Sequence, residues 1–568
     1  MKLTAVKKIF RDIPKLASEL GLWVQKCRWA GLSGKQFSKD FLVNVDFYRE
    51  FSFQGNTNPF VLVGMTVKIQ NPSESRQFVL LFSFADLTSP TIDVSSYPES
   101  TIFMPSNLQG QGALQLAPLD PVFVSKLLSI KETVKILKDK DFTLKYLPVN
   151  SNPLRKCNIK DIKLLGGGDT TNSIIKVTLD TPTGFQQVVF KSYLRMFEPN
   201  IEAEMITHLH SVGFSAVPAL EGSLILLKGG RSYTLLLISQ FVENAGDGGK
   251  PFWDHLQKYL RAIQSHNDLT PVLQEIGSLA QLIGNTTRDF HKALSKSRKK
   301  SFRPEKVDVN DIDEWTREFG EKFANAENLC AQRLPQLFPQ LLPQTIAMIS
   351  KDLSHIGTQL HSRSLIYPSA VITKQRIHGD LHLGQFLFQQ KDDTPRFVVT
   401  DLEGDPQLPP EKRQEKRMVW FDLGSLLRAL DYITFFGAWE ILKQFAPSHQ
   451  WTIEDVFACF FTGFAASPVP PSLEEYRNTW ELIVKKATEW GTFVGSQFLQ
   501  GYGAKESLQD KLPATFKLMR ATSELNYELG FRGQNALVPL LGVLKVGKVW
   551  MRRIKKKGRD SPSYVPVS

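Results

Sequence analysis

The sequence predicts an α+β protein in which a β-rich part precedes a larger helical one, and three observations lead there. Residues 151–247 run through short stretches rich in β-branched and aromatic residues, separated by Gly, Thr, Asn and Pro, which is the pattern of turn-connected strands. Beyond residue 248 apolar residues recur at three- and four-residue spacing over long segments, as amphipathic helices require. With 568 residues and 42% hydrophobic side chains, the chain is long enough for two or more buried cores.

Three blocks are expected in order. Residues 1–150 begin with a helical stretch, pass through the alternating runs "FVLVGMTVKI" and "RQFVLLFSF", and end at "LKYLPVNSNPLRK", whose Pro, Asn and Ser mark a linker. Residues 151–247 read as the strand "DIKLL", the turn "GGGDTT", the strand "NSIIKVTL", the turn "DTPTG", the strand "FQQVVFKSYL" and the helix "PNIEAEMITHLHSVGF", then two further strands, "SLILLK" and "YTLLLISQFV". This is an antiparallel sheet carrying one helix. The Gly-rich "ENAGDGGK" then leads into the helical block, residues 248–568.

Charge and cysteine content exclude several function classes. The formal charge is +12, but from Lys545 onward eight Lys/Arg stand against Asp560 alone, so +7 sits in the tail and +5 is left for the rest. A basic run at a terminus reads as a solvated end, and no interleaved aromatic motif suggests nucleic acid. Cys27, Cys157, Cys330 and Cys459 lie far apart without paired spacing, which opposes a zinc site or a disulfide framework and fits a reducing compartment. "MKLTAVKKIFRDIPKL" mixes charge through its apolar residues, unlike a signal peptide, and no later run has the length of a membrane span. A cytoplasmic protein is expected.

The chemistry concentrates in "RIHGDLHLGQFLF", residues 376–388. After Asp380 come a strand "QFLFQQ", a turn "KDDTP" and a strand "RFVVT", so a hairpin returns the chain and brings Asp401 back towards Asp380 and Gln385. Phosphoryl transfer needs a carboxylate near the attacking hydroxyl and oxygen ligands that hold Mg²⁺ against nucleotide phosphates, and these three side chains supply both. His378 and His382 have the four-residue spacing of a helical zinc pair, but Gly379 and Gly384 oppose a helix. His378 is therefore expected to fix the loop by hydrogen bonding and His382 to neighbour the active site. Asp422 opens the amphipathic run Leu423, Leu426, Leu427, Leu430, Ile433, where it is expected to cap the helix and brace the catalytic loop. In the β block, "VVFK" puts Lys191 at a strand end, where its ammonium can meet the α and β phosphates.

"HGDLHLGQ" followed by "TDLEGDP" resembles the "HGDxHxGQ" and "DFEGEP" signature of bacterial maltokinases, relatives of aminoglycoside phosphotransferases. The resemblance runs over roughly residues 15 to 545, from "CRWAGLSGK" through "LIGNTTRDFHKAL", "SFRPEKVDVNDIDEW" and "FDLGSLLRALDY" to "SELNYELGFRGQNALVPLLG". It implies a bilobal protein-kinase-like fold with an N-terminal cap: residues 1–150 the cap, 151–247 the small lobe, 248–568 the large lobe. It makes Asp380 the catalytic base. Gln385 and Asp401 become Mg²⁺ ligands, with Glu403 facing away or approaching a second ion. The family's "NPDLE" aligns with "NIEAE" and favours Glu204 as ion-pair partner of Lys191, with Glu202 as the rival. "GGGDTTNS" becomes the loop over the ATP phosphates, through its backbone N–H groups and the hydroxyls of Thr171 and Ser173. The backbone of Gln240 to Val242 is expected to pair with adenine between the lobes. His382, with Tyr527, Glu528 and Arg532, falls to the acceptor sugar.

The implied reaction is ATP- and Mg²⁺-dependent phosphorylation of maltose at its anomeric hydroxyl, giving maltose 1-phosphate for α-glucan synthesis, with any trehalose synthase acting as a separate protein. The specificity markers depart from the family: "RPDW" is replaced by "RGQN", "GDGW" by "GDGG" and "RWFGGK" by "RWAGLSGK". Glucosamine is thus the alternative acceptor, and a nucleotide-binding scaffold without turnover is the alternative class.

Overall fold

In a computed structural model, residues 7–32, 35–53, 59–70, 73–87, 99–108, 112–149, 157–165, 172–182, 184–196, 200–265, 268–361, 372–391, 394–406, 408–465, 467–504 and 512–557 are described. The chain divides into two compact units. The first is residues 1–210 and 218–242 with the short piece 409–412; the second is 211–217, 243–408 and 413–568.

The first unit opens with α1 (Ile13–Lys26), started by Asp12, whose carboxylate accepts from the Lys15 N–H at 3.1 Å. Strands β1 (Phe41–Phe51), β2 (Phe60–Ile69), β3 (Glu74–Asp86), β4 (Ile102–Phe103) and β5 (Gly112–Leu116) form an antiparallel sheet in the order β1-β2-β3-β5-β4. After α2 (Pro121–Leu128), a second antiparallel sheet gathers β6 (Val134–Lys138), β7 (Phe142–Pro148), β8 (Asn158–Leu165), β9 (Ser173–Thr181), β10 (Gly184–Ser192), β11 (Leu220–Lys228) and β12 (Arg231–Gln240) in the order β6-β7-β11-β12-β10-β9-β8. Helix α3 (Glu202–Ser211) follows β10.

The domain boundary expected at residue 150 does not separate packed bodies. β6 and β7 precede it yet belong to the second sheet, with β7 paired to β11 from Gly222↔Pro148 to Lys228↔Phe142. A single hydrophobic core, from Ile9 to Ile238, is shared by both sheets, and β3 bonds the chain just past β10 through the Val79 N–H to Leu194 O (3.0 Å) and the Met196 N–H to Gln77 O (2.8 Å). The physical reason is the sheet order: "LPVNSNP", read as an interdomain linker, joins β7 to the far edge strand β8 of the same sheet.

The second unit is mainly helical: α4 (Lys250–Arg261), α5 (Gly277–Ser295), α6 (Val309–Leu337), α7 (Pro343–His361), α8 (Trp420–Phe445), α9 (Ile453–Ala465), α10 (Arg477–Tyr502), α11 (Leu512–Tyr527) and α12 (Leu537–Lys557). Into it is set the expected hairpin, β13 (Phe386–Lys391) and β14 (Thr394–Val399), in register from Phe386↔Val399 to Lys391↔Thr394. The Gly-rich segment before α4 is tied down along β13 by three backbone bonds of 2.8–2.9 Å, Ala245 N–H to Phe388 O, Phe388 N–H to Gly246 O and Gly248 N–H to Phe386 O. A Cβ on Gly248 would lie 2.8 Å from Leu383 O, which is why glycine stands there. No helix among the described residues is long and apolar enough to cross a membrane.

Helices α5 and α10 pack backbone to backbone: a Cβ on Gly284 would lie 2.3 Å from Phe498 O, and one on Gly501 would lie 2.2 Å from Gln281 O. Neither obstacle is a side chain that can turn aside. Gly284→Ala is therefore expected to lower unfolding free energy by about 1–3 kcal/mol, the usual cost of overpacking, in urea titrations; an unchanged midpoint would refute this close approach.

Candidate active site

The catalytic loop is built around one buried carboxylate. Asp422, in the first turn of α8, accepts at 2.9 Å from His291 Nε2 on α5 and from the backbone N–H groups of His378 and Gly379. Burial opposes its charge, but His291 and the loop donors outweigh that and hold the carboxyl below the usual carboxylate range. The bracing role expected of Asp422 is present and the capping role is not: α8 starts at Val419 without a side-chain cap. His291 is itself fixed by Tyr502, whose hydroxyl lies 3.1 Å from Nδ1.

His378 fixes the loop as expected. Its Nε2 donates to Thr400 O at 2.9 Å, and its Nδ1 accepts from the Asp380 N–H at 3.3 Å, so one tautomer links the loop to the end of β14. His382 caps the short turn Leu383–Gln385 by accepting from the Gly384 N–H at 3.1 Å. Burial, then the neighbouring charges of Arg520 and His378, drop its pKa to about 4, so it stays neutral. It serves the turn that leads into β13.

The hairpin delivers Asp401 to the loop. Thr400 donates its N–H to Gln385 O (2.8 Å), and Gln385 Nε2 donates to Asp401 Oδ2 (3.2 Å), turning the amide oxygen away from the carboxylate. Asp401 has φ 61°, an uncommon conformation for a residue other than glycine and one that clusters at functional sites. Just beyond it, Gly404 lies against Gly379: a Cβ on Gly379 would be 3.6 Å from the Gly404 Cα. Asp380, Gln385 and Asp401 thus belong to segments held together by hydrogen bonds and close packing.

These oxygens suit Mg²⁺. A carboxylate with a carboxamide, the Gln385 amide turned to offer its oxygen in place of the N–H bond to Asp401, would be the sparse oxygen set of an ion that keeps its waters and takes phosphate oxygens.

Sequence reasoning missed the residue that holds Asp380. Arg520 on α11 places Nη2 2.9 Å from Asp380 Oδ1, and its Nε bonds Glu524 Oε1 at 3.1 Å. Burial raises the Asp380 pKa to about 6, with Asp405 adding to the rise and Arg520 and His378 opposing it. Arg413 was missed as well: half-buried, it feels the charges of Glu403, Asp405, Asp401 and Asp380, while its Nε and Nη2 bond the Leu408 and Pro406 carbonyls. Glu403 thus belongs to the carboxylates facing Arg413. The signal for Arg520 was its four-residue spacing to Glu524 on one helix face; the run around Arg413 gave none.

The expected acceptor residues lie on the continuation of α11. Residues Glu528–Arg532 form a π-helical turn in place of the regular helix expected, closed by Gly533 at φ 73°. Glu528 is buried, and its Oε2 has no hydrogen-bond partner among the described residues. It shares a face with Arg520 and Glu524, two turns or about 12 Å along the axis from Arg520. Tyr527 is half-buried; Arg532 is exposed and lies over its ring at 5.0 Å.

In the first unit Lys191, on β10, pairs with Glu202 (Nζ to Oε2, 2.8 Å), and the Tyr193 hydroxyl bonds the same oxygen. Glu204, the expected partner, is exposed. The helix begins at Glu202, so the earlier of the two carboxylates faces the sheet. Ser173 opens β9 with a buried hydroxyl that has no hydrogen-bond partner among the described residues; Thr171 lies outside the described residues. Of the expected adenine-pairing backbone, the Gln240 N–H is committed to Ala219 O (2.8 Å) and the Phe241 N–H to Gln187 O (2.9 Å), so neither is a donor for a base.

No family model matches the chain. Two solved glucosamine kinase structures are similar to it: crystal form A at TM-score 0.50 and 15% identity, covering 89% of this chain and 92% of that one, and crystal form B at 0.51 and 14%, covering 90% and 95%. At such identities the likeness shows the fold, which is the α+β kinase-like class. In sequence the chain is 26% identical over 236 residues to a curated glucosamine kinase of Streptacidiphilus jiangxiensis, 41% of this chain and 46% of that protein, so the match spans less than half of the relative's length.

Removing the brace should disturb the loop and the fold together. Asp422→Ala leaves buried His291 and two N–H groups without their acceptor, and a loss of about 3–5 kcal/mol in chemical denaturation is expected; a loss below 1 kcal/mol, roughly that of a surface pair, would show the network to be dispensable.

Proposed function

We propose that the chain is an ATP-dependent sugar kinase whose acceptor is an amino sugar of the glucosamine class. The observation that carries the reading is Asp380, an elevated-pKa carboxylate fixed by Arg520 and tied through His378 to the Gln385–Asp401 oxygen pair. In this reading Lys191, oriented by Glu202, contacts the nucleotide phosphates, and the Ser173 hydroxyl lies at the loop above them. Gln385 and Asp401 hold Mg²⁺, whose contribution is to neutralise phosphate charge. Asp380 accepts the proton of the acceptor hydroxyl as its oxygen bonds the γ-phosphorus and the bond to ADP breaks.

The amino-sugar assignment has two supports. The similar proteins named above are glucosamine kinases, and the unpaired oxygen of Glu528, near Glu524, is a place for an ammonium group. Maltose remains the reading of the sequence motifs. Incubation with ATP, Mg²⁺ and either glucosamine, maltose, glucose or kanamycin decides between them: the highest kcat/KM is expected for glucosamine. Product from maltose alone would replace the acceptor, and no product from any sugar would leave a nucleotide-binding scaffold.

Two variants test the base. Asp380→Asn is expected to abolish sugar phosphate formation while ATP still binds with near wild-type affinity by calorimetry; substantial turnover would remove Asp380 from the role. The carboxylate is the active form, so kcat/KM should fall as pH drops through about 6. Arg520 holds that pKa down, and Arg520→Met should therefore move the acid limb to higher pH; a limb that stays in place shows that another group sets it.

A further inference from the structure

The second unit contains a polar cluster that the reaction above does not use. α8, α9, α10, α11 and α12 enclose a cavity of about 380 Å³, and none of Asp380, Gln385 and Asp401 lines it. Its volume suits a compact small molecule. Fully buried Arg428 and half-buried Asp431, Lys517 and Lys545 form one side of the wall. Asp431 is shared between Arg428 Nη1 (2.6 Å) and Lys517 Nζ (2.7 Å), while Arg428 Nε and Nη2 both reach Glu524 Oε2 at 3.1 Å. Lys545 makes no hydrogen bond or ion pair with any described residue; burial lowers the pKa of its ammonium, and only the charge of Asp431 opposes that. Arg428, Lys517 and Lys545 thus share two carboxylates, Asp431 and, behind Arg428, Glu524, which leaves one half-buried positive charge unbalanced among the described residues, a cost that a bound anion would remove.

The other lining residues are mainly apolar, Phe435, Phe460, Leu541 and Val546 among them, interspersed with the hydroxyl groups of Thr434, Thr492 and Ser496. Gly542 completes the charged side: a Cβ there would lie 2.3 Å from Arg428 Nη1, so any larger residue would push the guanidinium away from Asp431.

We propose that this cavity binds a compact organic oxyanion, a carboxylate or phosphate monoester on a short apolar body, with Lys545 and Lys517 at the head group and the Phe435, Phe460 and Val546 wall around the body. This assignment is independent of the kinase reading and is tested on the full chain by thermal shift and calorimetry with hexanoate and hexyl phosphate, against hexanol and inorganic phosphate. Saturable stabilisation by one or both alkyl anions is expected, and which of them acts identifies the head group; hexanol and phosphate at equal concentration should have no such effect. Lys545→Met should weaken binding by about tenfold or more, as loss of a charge-assisted contact does, and Val549→Trp, which fills the cavity from its rim while keeping the charges, should also abolish it. The proposal is overturned if neither anion binds the wild-type chain, if hexanol binds as well as hexanoate, or if a folded Lys545→Met or Val549→Trp protein retains full affinity.

Discussion

The loop that carries Asp380 depends on one carboxylate buried on α8. Asp422 takes hydrogen bonds from two consecutive backbone amides of the loop and from His291, all at 2.9 Å, deep inside the second unit. A loop carrying a glycine at φ 88° would otherwise sample many conformations. Two amides bound to one rigid helix leave it a single course, and that course aims Asp380. His378 extends the constraint to Thr400 and so to Asp401. One buried charge, satisfied on all sides, thereby sets the spacing between the base and the oxygen ligands.

A second chain of charges tunes the base. From Asp380 it runs through Arg520 and Glu524 to Arg428, Asp431 and Lys517, alternating in sign at every contact. Burial alone would make Asp380 a weak acid and keep it protonated near neutral pH; Arg520 moderates that rise. The same arginine is held in place by Glu524, and Glu524 by Arg428, so the electrostatic environment of the base is set by residues on two long helices, α8 and α11. Such a network is costly to bury and is stable because each member has a partner. Its far end meets the cavity at Lys545, which has no hydrogen-bond or ion-pair partner among the described residues.

How much was legible in the sequence differs between features for physical reasons. The hairpin and the five strands read within residues 151–247 follow from local alternation and short turns, and the structure contains them. The boundary at residue 150 was misread because composition reports a turn-rich segment and not which strands pair across it; β6 and β7 cross that line only through hydrogen bonds to β11. Glu204 was preferred to Glu202 on motif alignment, yet the choice between two carboxylates two residues apart depends on where α3 begins relative to β10.

What the sequence determined by itself is therefore the set of locally encoded parts: the α+β class, the order of strands and helices, and a polar loop followed by a hairpin that returns a second aspartate to it. These rest on periodicity and turn chemistry within a few residues. Only the tertiary structure decided that Arg520 grips Asp380, that His291 joins Asp422 in bracing the loop, and that Arg428, Lys517 and Lys545 line one cavity. The contacts by which Asp422 and Arg520 hold the loop join residues 43 to 140 positions apart, counted from Gly379 to Asp422 and from Asp380 to Arg520, and no local pattern encodes which charged side chains will meet when helices pack.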